Sequence, residues 1–138
     1  MDIPTKRAVI RIRLDRARED LDTAHDLLKA SRWRGAVNRA YYTVFHAASA
    51  ALLWLDIERA KHSGIQAAFS EYLVKPGLIE VEYGRTYRRI REWREEQDYD
   101  IAAKQLDESA ATQIVNDAEH FLDRIERYLH QERAIDAP

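Results

Sequence analysis

The sequence predicts an all-α protein, an antiparallel up-and-down bundle of four to five helices. Apolar residues recur at spacings of three and four along most of the chain, which is the pattern of amphipathic helices. Helix breakers are scarce, with 4 Gly and 3 Pro in 138 residues, and no segment alternates as a strand would. This length suits a single domain, residues 1–138, with a core at about 8–130 and a tail at 131–138.

Helices 1 and 2 are the long pair at the N-terminus. Helix 1 is predicted from about Thr5 to Ala30 and helix 2 from about Trp33 to Leu55. Helix 2 is apolar on nearly all sides, and such a helix is buried on more than one side. We therefore expect one side to face its own domain and the other, including Leu53, to face a second copy in a homodimer. The inward positions of helix 1 are Ile10, Leu14, Ala17, Leu21, Ala24 and Leu28.

Helix 3 is predicted to be short. Ser63 and Gln66 have the spacing of a capping box, in which each side chain satisfies a backbone N–H at the start of a helix. The helix is expected to run to Lys75, because Pro76-Gly77 cannot continue it.

Helices 4 and 5 complete the bundle. Helix 4 is predicted from about Ile79 to Arg94, the polar residues 95–106 as a loop, and helix 5 from about Asp107 to His130. Two long N-terminal helices, a shorter pair and a long closing helix are typical of an antiparallel bundle. The inward positions are Ile79, Tyr83, Tyr87 and Ile90 in helix 4, and Ala111, Ile114, Val115, Ala118, Phe121, Leu122, Ile125 and Leu129 in helix 5.

Composition excludes several classes of function. The chain has no cysteine, so disulfides, thiolate zinc sites and cysteine nucleophiles are ruled out. A di-metal carboxylate site and a phosphate-binding glycine loop are disfavoured, since Glu-x-x-His is absent and the glycines are isolated. We therefore expect neither a metal nor a cofactor. The net charge of −2 provides no general field for nucleic acid, and no apolar run predicts a membrane span, so a cytoplasmic location is expected.

The candidate catalytic residues are Arg39 and His46. They are the only ionisable side chains of residues 35–55 apart from tyrosines, and at seven residues apart they lie nearly in line, with Tyr42 between them. An Arg–Tyr–His row on an apolar helix is either a polar pair satisfied inside a dimer interface or a catalytic centre. Two other Arg–His pairs with similar spacing, Arg18–His25 and Arg124–His130, lie on helices rich in charge and suit a solvated surface.

A cluster of arginines on helix 4 is the candidate site for nucleotide or RNA. Arg85, Arg88 and Arg89 fall within about 100° of arc, away from the inward stripe, and Arg94 follows one turn beyond. Guanidinium groups bind phosphate oxygens well, so these residues and Tyr42 are predicted to contact nucleotide or RNA. The alternative is an ordinary solvated face, on which neighbouring glutamates offset part of the positive charge.

Four motifs in one order resemble the HEPN domain (higher eukaryotes and prokaryotes nucleotide-binding), specifically its small stand-alone prokaryotic, UPF0332-like branch. They are RAYYTVFHAASAALL at 39–53, KHSGIQAAF at 61–69, VKPGL at 74–78 and REEQDYD at 94–100. The resemblance covers about residues 8–130. It implies a helical bundle that dimerises and pairs with a minimal nucleotidyltransferase, often as a toxin–antitoxin or defence system.

The resemblance also bears on activity. Many members of the family are metal-independent ribonucleases, with an Arg–His pair placed just before the last helix. Arg94 stands at the equivalent position here, but Tyr99 follows where the histidine is expected. In some pairs the transferase adenylylates a tyrosine of this motif, which makes Tyr99 a candidate modification site. Two functions remain open: a binding module for a transferase, nucleotide or RNA, and a ribonuclease toxin that uses Arg39 and His46.

Overall fold

The described part of the chain forms five α-helices, and the predicted all-α fold is confirmed. The computed structural model describes residues 1–99 and 105–136, leaving aside the side chains of residues 98 and 99. No β-strand occurs within these ranges. A π-helical segment, Ser70–Val74, directly follows the third helix. The α-helices are α1 (Ile3–Lys29), α2 (Trp33–Trp54), α3 (His62–Phe69), α4 (Val81–Tyr99) and α5 (Glu108–Gln131).

The first two helices are antiparallel, as two polar contacts between them show. Near the start of α1, Lys6 Nζ lies 2.9 Å from Asp56 Oδ1, just beyond the end of α2. Farther along α1, Asp20 accepts a hydrogen bond from Arg39, near the start of α2, at 3.0 Å. The residues of α1 and α2 therefore meet in opposite order, as the bundle prediction requires.

The last helix runs against both α1 and α4. Its ion pairs with each of these helices occur in reversed order along the chain, so the four long helices alternate in direction and α3 lies in the connection between α2 and α4. These pairs are Arg18–Glu126 (2.7 Å) and His25–Glu119 (2.7 Å) between α1 and α5, and Glu80–Arg124 (2.8 Å) and Arg89–Asp117 (2.8 Å) at α4 and α5.

Helix α2 is the central helix of the bundle and contacts α1, α3, α4 and α5. Its alanines and leucines are buried by these neighbours, and Leu53 is only 3% exposed. The prediction that Leu53 faces a second copy is therefore wrong, because helices of the same chain cover that side. A helix that is apolar all round can occupy the centre of one domain without a partner.

The predicted helix bounds differ from the structure in two places. The first residue of α3 is His62, and Lys61 caps it without a side-chain hydrogen bond, so the predicted Ser63 capping box is not formed. The α-helical part of this region ends at Phe69, before the π-helical segment. Helix α4 continues to Tyr99 instead of ending at Arg94, which places residues 95–99 on a helix rather than in a loop.

Within the described ranges, no helix combines the length and the apolar character needed to cross a bilayer.

Candidate functional site

Arg39 and His46 lie on the same face of α2, as predicted, and a carboxylate of α1 connects them. Arg39 Nη1 donates a hydrogen bond to Asp20 Oδ1 at 3.0 Å, and His46 Nε2 lies 3.6 Å from Asp20 Oδ2. The Tyr42 ring lies between the two, 5.2 Å from the Arg39 guanidinium carbon and 6.2 Å from the His46 ring. The three residues of α2 are half-buried, and their polar groups are accessible from one side of the bundle.

Asp20 is the site residue that the sequence analysis missed. Its side chain is only 15% exposed. Carboxylates are rarely buried to this degree unless they are paired, and Asp20 is paired with Arg39. Helix α1 carries acidic residues on several faces, and only the pairing with α2 selects Asp20 from them. The available signal was that Asp20 lies between the inward positions Ala17 and Ala24 but next to Leu21, at the edge of the apolar stripe.

Arg94 joins this cluster from α4. Its guanidinium carbon lies 4.6 Å from the centre of the Tyr41 ring and 5.4 Å from that of Tyr42. Two guanidinium groups, from Arg39 and Arg94, thus contact the same Tyr42 ring. We call Asp20, Arg39, Tyr42, His46 and Arg94 the Arg39–His46 cluster.

The side chains expected around Arg94 in the REEQDYD motif are not all described. The side chains of Asp98 and of Tyr99, the candidate modification site, lie outside the described residues. The backbone of Tyr99 ends α4. The contacts of Arg94 with the two tyrosines show that it is directed towards α2.

Aromatic rings extend the cluster towards α3. Phe45 of α2 stacks on His62, the first residue of α3, with 4.2 Å between ring centroids. His62 also meets Tyr42 edge-on at 5.8 Å. His62 is exposed and Phe45 is half-buried, so the rings form a platform at the surface. This platform was not predicted, because it depends on how the start of α3 packs against α2.

The surroundings of His46 favour the neutral form of its imidazole. Burial disfavours the charged form and lowers the pKa of His46 below its ordinary value of 6.5, while the negative charge of Asp20 opposes this effect. Arg16 and Arg13 of α1 lower the pKa further. At neutral pH the ring is therefore unprotonated and is able to accept a proton.

The predicted arginine patch of α4 is divided by the structure. Arg89 points to α5, where it pairs with Asp117 at 2.8 Å. Arg85 and Arg88 are exposed and line a different cleft, between α3 and α4. Of the predicted nucleotide or RNA contacts, only Tyr42 and Arg94 are brought to Arg39 and His46, while Arg85, Arg88 and Arg89 are not.

The cluster combines two guanidinium groups, a neutral imidazole and exposed rings. Its members from α1 and α2, Asp20, Arg39, Tyr42 and His46, line a shallow cleft of about 360 Å³ together with Arg16 and Glu19. Guanidinium groups bind phosphate oxygens, an imidazole transfers protons near neutral pH, and rings stack on bases. Within the described part of the chain, no group of three or more histidine, aspartate or glutamate side chains is arranged to hold a metal ion.

Comparison with known proteins gives the same assignment as the sequence motifs. A model of the HEPN domain matches residues 10–128. A Thermotoga maritima protein named "UPF0332 protein" is 42% identical over 114 residues, which are 83% of this chain and 86% of that protein.

Two Methanocaldococcus jannaschii proteins are also similar. "Putative toxin MJ0605" is 36% identical, covering 91% of this chain and 92% of that protein. "Putative toxin MJ0142" is 26% identical, covering 94% of this chain and 86% of that protein. With the family model matching most of its length, and four long helices of alternating direction of which α2 is the central one, the chain belongs to the HEPN domain family.

Proposed function

We propose that this chain is a toxin-type HEPN protein that binds RNA or a nucleotide at the Arg39–His46 cluster. The observation that carries the proposal is the meeting of Arg39 and Arg94 on the ring of Tyr42, beside His46. Two guanidinium groups at one surface are suited to phosphate oxygens, and the adjacent rings are suited to unstacked bases. The toxin names of the two archaeal relatives support the biological role.

The partners of this proposal are a second copy and a minimal nucleotidyltransferase. A homodimer formed through the ring platform would bring two Arg39–His46 clusters near each other and lengthen the basic surface. The transferase would act as the antitoxin by modifying Tyr99, whose backbone ends α4. Mass spectrometry of the chain after co-expression with a minimal nucleotidyltransferase encoded beside its gene tests this step, and an unmodified Tyr99 would contradict it.

RNA binding is tested with purified protein and a fluorescent single-stranded RNA. The wild type is expected to bind this RNA. The logarithm of the binding constant should fall linearly with the logarithm of the salt concentration, with a slope of about 0.7 per phosphate contact, because each contact releases bound counterions. Arg39→Gln is expected to weaken binding by about tenfold, and Arg89→Gln, which removes the same charge from a helix face turned to α5, to change it less than about twofold. Equal losses in the two variants would contradict the assignment to this cluster.

The toxic role is tested by expressing the chain alone and together with the neighbouring transferase. Growth is expected to slow with the wild type alone and to recover with the transferase. Arg39→Gln is expected to be harmless at the same protein level. A chain that leaves growth unchanged when expressed alone contradicts the toxin proposal without affecting the binding result.

A second candidate function is metal-independent RNA cleavage, and the neutral imidazole of His46 favours it. In that reaction His46 takes the proton of a ribose 2′-hydroxyl, whose oxygen then bonds to the adjacent phosphorus. The bond from phosphorus to the 5′-oxygen breaks, a water molecule protonates the leaving oxygen while His46 returns its proton to the solvent, and a 2′,3′-cyclic phosphate remains. Arg39 and Arg94 would stabilise the negative charge that develops on the non-bridging oxygens of the phosphate.

Cleavage is tested on RNA in the presence of EDTA. His46→Ala is expected to lose about 100-fold or more in rate, since proton transfer is removed, while RNA binding is retained. Arg39→Ala should lose a similar factor through weaker stabilisation of charge. If His46→Ala cleaves at the wild-type rate, His46 is not the general base; if the wild type binds RNA without cutting it, the binding function stands alone.

A further inference from the structure

A second basic cleft lies between α3 and α4. It has a volume of about 410 Å³ and is separate from the Arg39–His46 cluster, with which it shares no residue. One wall is polar and belongs to α3, with Ser63 and Gln66; the other belongs to α4, with Arg85, Arg88 and Arg91. We call it the α3–α4 cleft.

The charge of this cleft is not balanced by the protein. Its lining includes three arginines and no carboxylate. Arg91 is held in place by Gln66, to which it donates at 2.7 Å, and by Glu95 at 3.6 Å. Arg85 and Arg88 are exposed, and neither has a carboxylate within 4.0 Å among the residues that the structure describes. The cleft therefore presents two guanidinium groups that form no ion pair within 4.0 Å among the described residues.

The spacing of these two arginines suits a ligand with adjacent anionic groups. Residues three apart on a helix are neighbours on its surface, so Arg85 and Arg88 place like charges side by side, which is unfavourable in the empty protein. A guanidinium group binds a phosphoryl group through two parallel hydrogen bonds, and two such groups in a row match two linked phosphoryl groups.

A buried tyrosine lies beneath the lining of the cleft. This residue, Tyr87, is 1% exposed, and its hydroxyl has no hydrogen-bond partner among the described residues. An unpaired hydroxyl is an unusual feature in a protein interior. Burial raises the pKa of Tyr87, so this hydroxyl keeps its proton over the physiological range. The π-helical segment that follows α3 borders the same cleft through Ser70 and Val74, and such segments are frequent at functional sites.

We propose that the α3–α4 cleft binds a small phosphoanion with two or more linked phosphoryl groups. Arg85 and Arg88 hold the phosphoryl oxygens, and Ser63 and Gln66 of α3 close the opposite side. Inorganic pyrophosphate and the phosphate chain of a nucleoside diphosphate or triphosphate share this chemistry. A single phosphodiester of RNA carries one charge and leaves one of the two arginines unsatisfied.

The test is calorimetric titration of the full-length protein at physiological salt with pyrophosphate, ATP, AMP and orthophosphate. Pyrophosphate and ATP are expected to bind at least about tenfold more tightly than AMP and orthophosphate. Similar affinities for pyrophosphate and ATP mean that only the phosphates are held, and a much higher affinity for ATP points to a nucleotide; either result supports the proposal. No saturable binding of pyrophosphate at millimolar concentration overturns it.

Variants locate the ligand. The double variant Arg85→Gln, Arg88→Gln is expected to lose at least about tenfold in affinity for pyrophosphate. Arg89→Gln is the matched control on the same helix, because Arg89 pairs with Asp117 of α5, and its affinity is expected to remain within about twofold of the wild type. Circular dichroism checks that the variants fold.

Two results would contradict the proposed location or the proposed ligand. Pyrophosphate affinity that is unchanged in the double variant, or reduced as strongly by Arg89→Gln, contradicts a site in the α3–α4 cleft. Binding of single-stranded RNA that depends on Arg85 and Arg88, without binding of pyrophosphate, assigns the cleft to RNA instead and also overturns the proposal.

Discussion

Asp20 controls how easily His46 takes up a proton. The carboxylate raises the pKa of His46 while burial lowers it, and burial has the larger effect. Removing the charge with Asp20→Asn is therefore expected to lower the pKa of His46 further. The measurement is an NMR titration of the His46 imidazole protons in the wild type and in the variant. A higher pKa of His46 in the variant would contradict the contact between Nε2 and Oδ2.

The same shift makes stability depend on pH. The folded pKa of His46 lies below the unfolded value of 6.5, so between the two values the unfolded chain binds more protons. The contribution of His46 to stability is complete above pH 6.5 and is lost as the pH falls through the folded pKa. His46→Gln should remove this part of the dependence, which urea unfolding of both proteins at pH 7.5 and 5.5 would measure. If the wild type and His46→Gln lose the same free energy of unfolding between pH 7.5 and 5.5, groups other than His46 are responsible for the pH dependence.

Lys6 fastens the start of α1 to the end of α2. Its side chain is 7% exposed, and Nζ lies 2.9 Å from Asp56 Oδ1 and donates to the carbonyl oxygen of Trp54 at 3.3 Å. Lys6→Ala is expected to lower the free energy of unfolding by about 1–2 kcal/mol, because a charged hydrogen bond and the packing of the stem are both lost. Lys75→Ala is the control, since Lys75 pairs with Glu71 in solvent and its loss should leave the melting temperature nearly unchanged.

At the scale of the elements, the long helices were predictable and their connections were not. The predicted bounds of the first, second and fifth helices agree with α1, α2 and α5 to within two residues, because a long apolar period marks a buried helix face. The cap of α3 and its π-helical end depend on local backbone geometry. The final turn of α4, residues 95–99, has polar side chains, so the apolar period ends before the helix does.

The candidate site was predicted only as far as single helices allow. The alignment of Arg39, Tyr42 and His46 follows from helical periodicity, and the structure has it. Asp20 of α1 and Arg94 of α4 contact these residues because of the way the helices pack. The helical wheel of a single helix gives no information about packing between helices. For the same reason the arginines of α4, which look like one patch on a wheel, separate into different environments.

Arg94 connects two elements by lying against Tyr41 and Tyr42. Arg94→Ala is expected to destabilise the protein by about 1 kcal/mol, since a partly buried cation–π contact contributes roughly this much. Arg94→Lys should recover part of the loss, and Arg85→Ala, an exposed change on the same helix, should cost less. Denaturant unfolding compares the three variants; equal stability of Arg94→Ala and the wild type would mean that the ring contact contributes nothing.

At the scale of the whole molecule, the central position of α2 changes the argument for a dimer. The sequence suggested a partner because α2 is apolar on all sides, but α1, α4 and α5 bury those sides within one chain. Leu53→Asp would therefore report on folding instead of on assembly. Tyr42 and Phe45 are among the residues of α2 that stay partly exposed, they form the ring platform with His62, and a dimer of this chain is proposed to form there.

A dimer with twofold symmetry uses the same patch on both copies, so one substitution acts twice at the interface. Phe45→Arg would replace a half-buried ring by a cation beside Arg39 and Arg94, and each copy would face the same added charge on the other. We expect the wild type to be a dimer at micromolar concentration by light scattering and Phe45→Arg to be a folded monomer. Tyr72→Arg, a change at a 42% exposed ring on the π-helical segment, should leave the dimer intact. A monomeric wild type, or a dimer that survives Phe45→Arg, would exclude this surface, and the Arg39–His46 cluster would then have to bind its ligand with the residues of one chain.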